Sequence, residues 1–168
     1  MEETYLNAVN LIERLHRQFL EVVKSELDRV GVQDINNIQA IILYNIAGEE
    51  VTVGELTHRG YYLGSNVSYN LKKMVEHGYL IQERSPHDRR SVRVWLSEKG
   101  VELRNVMVDM FNNQIAVLKD KDNTKEDIEK IVESLVFLGR FFSDSLTTSG
   151  RGVAGPPGGM ERRAGDED

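Results

Sequence analysis

The sequence predicts a mainly α-helical protein of the α+β class, in which a short β-hairpin interrupts a series of helices. Apolar residues recur every three or four positions over most of the chain, as they do on the buried side of a helix. Between residues 79 and 96 the period falls to two, which is typical of strands. Glycines and capping residues separate these segments and mark where each one begins or ends.

Four helices are predicted before the hairpin. Thr52 and Glu55 match a capping box, which opens the third of these helices. Gly31 is a plausible stop for the first helix, and Gly78 stands where the fourth needs a left-handed residue after its end. The four helices span about residues 4–30, 36–47, 53–59 and 65–77.

The hairpin is predicted from two strands, residues 79–84 and 91–96, joined by a polar link with a basic tip. Ser97 is expected to cap a fifth helix, and a second capping pattern at Thr124 opens a sixth. The glycine- and proline-rich end of the chain cannot bury a core and is expected to be a disordered tail. The predicted organisation is a first dimerisation helix (1–34), a central lobe (35–97), C-terminal dimerisation helices (98–146) and the tail (147–168).

Charge is distributed unevenly along the 168 residues. The chain carries a net charge of −6, yet residues 58–93 hold seven Lys or Arg against three acids, a net +4 that leaves −10 elsewhere. Such a basic island is either a footprint for phosphates or an ordinary solvated face. The chain has no cysteine, which excludes disulfides, thiolate metal sites and thiol switches. It also lacks a membrane-length apolar run and a secretory signal, so a cytoplasmic location is expected.

The third and fourth helices, joined by a tight turn, form a helix-turn-helix, and the hairpin that follows makes it winged. In this motif the second helix enters the major groove of DNA. Asn66 can pair with adenine, Tyr69 can contact a phosphate or a thymine methyl, and the lysines suit the backbone. Capping, solvation or packing are the alternatives for these polar side chains. The expected DNA contacts on this helix are Ser65, Asn66, Ser68, Tyr69, Lys72 and Lys73.

The hairpin is expected to supply a second set of DNA contacts. An arginine at such a tip can enter the narrow, electronegative minor groove beside the helix. Asp88 would repel phosphate there, unless it pairs with Arg90 and aims that side chain; alternatively it only initiates a turn. The expected contacts of the hairpin are Arg84, His87, Asp88, Arg89 and Arg90.

These segments resemble the MarR family of winged-helix regulators. The resemblance rests on residues 67–80 (VSYNLKKMVEHGYL), residues 83–91 (ERSPHDRRS) and residues 96–100 (LSEKG), and it extends over about residues 5–146. It implies an obligate homodimer built from the first, fifth and sixth helices. It also implies that Arg90 enters the minor groove with Asp88 as its partner.

Within that family the chain is similar to an alphaproteobacterial branch that controls cell-wall L,D-transpeptidases, the LdtR type. The similar residues are 5–9, 34–37 and 60–68. This similarity implies control of cell-wall remodelling or stress genes.

The first, fifth and sixth helices carry more apolar surface than one 19.1 kDa chain needs, which suits a subunit interface. A two-fold dimer predicts an inverted-repeat operator with half-sites about 34 Å apart. Many members of the family bind small aromatic ligands where the dimer helices meet the DNA-binding lobe. Aromatic residues there are alternatively just core. The residues expected to line such a pocket are His16, Phe19, Leu20, Tyr44, Tyr61 and Tyr62.

Two other function classes, an enzyme and a protein-interaction module, are alternatives to DNA binding. Four scattered histidines without clustered carboxylates give no catalytic set, so we expect no enzyme, no cofactor and no metal site. A winged-helix protein-interaction module without DNA binding is the alternative function. Such a module is expected to have lost the wing arginines, whereas Arg89 and Arg90 are present.

Overall fold

The computed structural model describes residues 1–46, 50–58, 64–84, 92–120 and 125–149. The predicted mainly helical α+β class with a hairpin between helices is confirmed. Helix α6 continues to Ser149, so residues 147–149 are helical rather than part of the predicted tail, while residues 150–168 lie outside the described residues. The elements are α1 (Glu2–Arg29), α2 (Asn37–Asn45), β1 (Val51–Thr52), α3 (Val53–His58), α4 (Gly64–Glu76), β2 (Leu80–Arg84), β3 (Val92–Leu96), α5 (Glu98–Asp120) and α6 (Lys125–Ser149).

Two helices end as their glycines predict. Gly31 and Gly78 have φ values of 75° and 77°, a region that residues with a Cβ rarely adopt. After α4 the Gly78 amide donates to the Val75 carbonyl at 3.0 Å, and the Tyr79 amide donates to the Met74 carbonyl at 2.9 Å. This is a Schellman turn, which satisfies carbonyls that the helix itself leaves unpaired.

Side-chain caps begin three of the helices. The Thr52 hydroxyl accepts from the Glu55 amide at 3.1 Å while the Glu55 carboxylate accepts from the Thr52 amide at 2.6 Å, so the predicted capping box is confirmed. Asn36 and Gln39 form a second box at α2. The Ser97 hydroxyl accepts from the Gly100 amide at 3.1 Å and caps α5, as predicted. These bonds satisfy amides that lack a partner within the first helical turn.

The sheet has one strand more than the sequence analysis found. β2 and β3 pair antiparallel from Leu80 opposite Leu96 to Arg84 opposite Val92, as the hairpin predicts. β1 adds to the other side of β3, so the sheet order is β1-β3-β2. A strand of two residues is too short to show an alternating pattern. Its pairing partner lies about forty positions away in the sequence, so no local signal predicts it either.

The chain divides into two compact units, Met1–Val117 and Leu118–Asp168. The first unit holds a single apolar core, to which α1, α2, α4, the sheet and α5 contribute. In α1 only Val23 and Leu27 are buried, so the core reaches the C-terminal third of that helix alone. In the second unit the described side chains of α6 are exposed, except that Leu138 and Phe142 are half-buried.

Gly100 has a role that its sequence context did not reveal. A Cβ added there would stand 2.2 Å from the backbone carbonyl oxygen of Tyr79. The absence of a side chain at Gly100 allows α5 to begin directly against the chain that follows α4. We therefore expect Gly100→Ala to lower the free energy of unfolding by roughly 1–3 kcal/mol, a typical cost of overpacking.

Urea unfolding followed by circular dichroism measures this change. Gly54→Ala is the matched control, since Gly54 also lies in the first turn of a helix and its added Cβ would meet only the Thr52 hydroxyl at 3.8 Å. Equal midpoints for the two variants would contradict the close approach at Gly100.

Candidate nucleic-acid interface

Helix α4 has one buried side and one exposed side. Val67, Leu71 and Met74 are buried in the core, in the stripe predicted from their spacing. Ser68, Tyr69 and Lys72 are exposed, and Tyr69 leaves 62% of its surface open to solvent. The exposed side of α4 is therefore the side that a partner can reach, and it presents the ring and hydroxyl of Tyr69 together with Lys72.

An acid lies among the cationic side chains of α4. The Glu76 carboxylate is 2.7 Å from the Lys73 ammonium and 3.9 Å from that of Lys72. The hydrogen bond from Lys73 lowers the pKa of Glu76, and the same bond raises the pKa of Lys73. Lys73 is therefore charged at neutral pH, and the Glu76 carboxylate offsets part of the positive field of this side of the helix.

The hairpin presents one free arginine and one paired arginine among its described strands. Arg84, the last residue of β2, is exposed. The Arg93 guanidinium donates to the Glu50 carboxylate at 3.1 Å, which joins β3 to the residue before β1. Arg93 was counted in the basic island, and this ion pair ties it to the sheet.

α4 packs against both α3 and β2, so the exposed side of the helix and the hairpin belong to one lobe. Ser65 and Asn66 lie in the first turn of α4, and their side chains are outside the described residues. The predicted contacts His87, Asp88, Arg89 and Arg90 also lie outside the described residues. Of the predicted DNA contacts, the structure thus brings Ser68, Tyr69, Lys72, Lys73 and Arg84 onto this lobe.

An aromatic cluster lies where α1, α2 and α5 meet. The Phe111 ring centroid is 6.2 Å from that of Phe19 and 4.9 Å from that of Tyr44. The Arg104 guanidinium is 6.0 Å from the Tyr44 ring, and its buried Nε has no hydrogen-bond partner among the described residues. A buried donor without a partner costs about 1–3 kcal/mol, so it marks a place where a ligand acceptor would be favourable.

Phe19 and Tyr44 are among the residues predicted for the ligand pocket, whereas Arg104 of this cluster was not predicted. The sequence signal for Arg104 is that it stands between Leu103 and Met107, two apolar residues four positions apart. Of the other predicted pocket residues, Leu20 is half-buried and gives its carbonyl to the Asn37 amide group at 3.0 Å, whereas His16 is exposed. Tyr61 and Tyr62 lie outside the described residues.

Within the described ranges no three His, Cys, Asp or Glu side chains are grouped to hold a metal ion. Over the same residues no helix is long and apolar enough to cross a membrane.

The chain is similar to a DNA-binding domain family and to transcriptional regulators. Residues 35–100 match a family described as a winged helix DNA-binding domain. The exopolysaccharide II synthesis transcriptional activator ExpG of Rhizobium meliloti is 36% identical over 132 residues, which cover 79% of this chain and 68% of that protein. The transcriptional regulator SarZ of Staphylococcus epidermidis is 25% identical over 116 residues, 68% of this chain and 76% of SarZ.

Solved structures give the same fold. A mutant MarR from E. coli complexed with operator DNA has a TM-score of 0.67 at 18% identity, covering 80% of this chain and 95% of that one. A Staphylococcus aureus MarR in complex with salicylate and kanamycin has a TM-score of 0.67 at 22% identity, covering 85% and 95%. The fold and the relatives define a winged-helix transcriptional regulator. The chain belongs to the MarR family.

Proposed function

We propose that this regulator binds double-stranded DNA in a sequence-specific manner as a homodimer, with α4 in the major groove. The exposed side of α4 carries the proposal, because it sets Tyr69 and two lysines opposite a fully packed side. Solved structures of similar fold that include complexes with DNA support it. A role on the chromosome implies a cytoplasmic site of action. The named relatives are transcriptional regulators, which favours this role over an enzymatic one.

The proposed contacts divide into three sets. The N-terminal turn of α4, with Ser65, Asn66 and Ser68, is assigned to base edges in the major groove. Tyr69, Lys72 and Lys73 are assigned to the phosphate backbone, which positions the helix without specifying sequence. The hairpin is assigned to the minor groove and its flanking phosphates. Its contacts are Arg84, His87, Asp88, Arg89 and Arg90.

The dimer is supported by apolar side chains that the described protomer leaves exposed. α1 exposes Leu6 and Leu15, the end of α5 exposes Ile115 and Val117, and α6 exposes a longer series. Exposed apolar surface in this amount marks an interface or a liability to aggregate. We assign all three helices (within residues 1–34 and 98–146) to a two-fold interface, which places two recognition helices about 34 Å apart.

The aromatic cluster supports regulation by a small aromatic effector. Tyr44, Phe19 and Phe111 offer ring faces, and the unpaired Nε of Arg104 favours a ligand that carries an acceptor such as a carboxylate. The similar S. aureus MarR structure is a complex that contains salicylate, a ligand of that kind. Such a ligand changes DNA affinity only if it binds one dimer geometry better than another.

Sequencing the genomic fragments that the purified protein retains tests the proposal. The expected result is a shared inverted repeat whose half-site centres are about one helical turn apart. Retained fragments without a common motif would favour the alternative, a winged-helix protein-interaction module. Genes beside the retained sites test the proposed control of cell-wall remodelling or stress genes; the Rhizobium relative is named for synthesis of another surface product.

Glu76→Gln is expected to tighten DNA binding about 2- to 5-fold at low salt, because it releases Lys73 and Lys72 for phosphate. Each added phosphate contact is also expected to steepen the salt dependence by about 0.9 in log–log slope. Fluorescence anisotropy with a labelled operator at several salt concentrations measures both effects.

Glu126→Gln is the matched control, since Glu126 forms an ion pair with Lys130 at 3.0 Å on α6 and the change in net charge is the same. If both variants bind operator equally well, Glu76 does not compete with the DNA backbone for the lysines.

A further inference from the structure

Three segments that are distant in the sequence meet at one carboxylate. Asp34, in the connection between α1 and α2, accepts a hydrogen bond from the Tyr79 hydroxyl at 2.6 Å. Its other oxygen accepts from the Lys99 ammonium, also at 2.6 Å. Tyr79 follows the end of α4, and Lys99 is in the first turn of α5. We call Asp34, Tyr79 and Lys99 the Asp34 junction.

Further bonds hold the end of α4 from two sides. The Lys99 ammonium donates to the His77 carbonyl at 3.0 Å and lies 4.0 Å from the centroid of the Tyr79 ring. The Ser97 hydroxyl donates to the Gly78 carbonyl at 2.6 Å. His77 also contacts the backbone carbonyl of Asp34 through its Nδ1. The last turn of the recognition helix is therefore fixed both to the start of α5 and to the loop before α2.

This connection is short and stiff. The Schellman turn at Gly78 joins α4 to Tyr79 through two backbone hydrogen bonds that tie both residues back to the last turn of the helix. The close approach at Gly100 leaves no room for α5 to move toward Tyr79. Any tilt of α4 relative to α1 and α5 must therefore disturb the hydrogen bonds to Asp34.

Two groups of the junction, Asp34 and Tyr79, keep their charge states near neutral pH. Partial burial raises the pKa of Asp34, but hydrogen bonds from Lys99 and Tyr79 outweigh it, so the pKa of the carboxyl lies below its ordinary value. Burial, and then the bond to Asp34, raise the pKa of Tyr79, which stays protonated and able to donate.

The ion pair is nevertheless half exposed, at 47% for Asp34 and 46% for Lys99, and such pairs contribute little to global stability. The hydrogen bonds of the junction therefore affect the orientation of α4 more than the free energy of unfolding. Variants that lack one of these bonds are expected to fold.

We propose that the Asp34 junction sets the direction of α4 relative to α1 and α5, and thereby the half-site spacing that the dimer accepts. The inference rests on the proposed function, in which α4 lies in the major groove and α1 and α5 belong to the dimer interface. Asp34, Tyr79 and Lys99 are positioning residues here and need not touch DNA. When the direction of α4 is fixed, the dimer binds operators with one half-site spacing. When α4 can tilt, the dimer also binds operators with neighbouring spacings.

The test uses Asp34→Asn, Tyr79→Phe and Lys99→Met in the full-length dimer. Each is titrated against operators with the selected spacing and with one base pair added or removed. We expect each variant to lose roughly 2- to 30-fold in affinity at the selected spacing, the range of modest coupling effects. Affinity for the altered spacings is expected to fall less. The ratio of the affinity at the selected spacing to the affinity at the altered spacings is therefore expected to decrease. Lys99→Arg is expected to restore the preference in part.

The two charge changes separate positioning from simple electrostatics. Removing an acid at Asp34 would tighten binding, and removing a base at Lys99 would weaken it, if only charge mattered. Positioning instead predicts that both variants weaken at the selected spacing. Glu126→Gln and Lys130→Met remove the same charges from an exposed ion pair on the side of α6 opposite Leu135, away from the apolar residues assigned to the interface, and are expected to leave the spacing preference unchanged.

Thermal unfolding and sedimentation establish that each variant is folded and dimeric before it is titrated. Tyr79→Phe, which removes one oxygen atom, decides the question if either charge variant unfolds. A wild-type protein that binds no operator overturns the proposed function itself. A wild-type protein that prefers one spacing, with variants that keep the same preference, overturns the role of the junction alone.

Discussion

Replacing Leu135 with glutamate is expected to convert the proposed dimer into monomers and to lower operator affinity about 10³-fold, to the level of non-specific binding. Leu135 is 49% exposed and lies at the centre of a helical stripe on α6. The stripe consists of Ile128, Ile131, Leu135, Leu138 and Phe142. A two-fold interface would place the new carboxylate there twice. An uncompensated buried charge costs about 3–5 kcal/mol, and two of them exceed what such an interface can tolerate.

Sedimentation equilibrium at several protein concentrations measures the loss of the dimer, and anisotropy with operator DNA measures the loss of affinity. Arg140→Glu is the control, because Arg140 is exposed and lies about 140° around the helix from Leu135. It introduces a carboxylate outside the stripe and is expected to remain dimeric. A Leu135→Glu variant that stays dimeric would remove this face of α6 from the interface.

The features that could be predicted from sequence are local ones. The capping box at Thr52 and Glu55, the glycine stop at Gly78 and the burial of Val94 and Leu96 in β3 each depend on residues a few positions apart. Short-range geometry decides such features, so a pattern of residue types is enough to find them. The pair of Lys73 and Glu76 has the same local origin, and its i,i+3 spacing would have revealed it.

The features that sequence could not supply are contacts over long sequence separations. β1 forms because Val51 pairs with Val94 of β3, and the two residues of β1 carry no sequence pattern that predicts a strand. The unpaired Nε of Arg104 becomes visible only when burial is known. The Asp34 junction joins positions 34, 79 and 99, whose proximity follows from the packing of three helices rather than from any pattern along the chain.

The hairpin gives the second large expected effect, in the variant Arg90→Ala. β2 and β3 remain paired up to Arg84 opposite Val92, and residues 85–91 connect the two strands. If Arg90 enters the minor groove, its loss removes a cation from the site of strongest negative potential. Operator affinity is expected to fall by about 1–3 kcal/mol, or roughly 5- to 150-fold, while the dimer and its unfolding midpoint stay unchanged.

Affinity is compared at matched salt, with Arg140→Ala on α6 as a control that removes the same charge elsewhere. Asp88→Asn then tests the proposed partner of Arg90. An aspartate that only repels phosphate makes this variant bind more tightly, whereas one that aims Arg90 makes it bind more weakly despite the lost negative charge. Wild-type affinity in Arg90→Ala would refute the minor-groove assignment. It would leave α4 and the backbone contacts to account for operator binding alone.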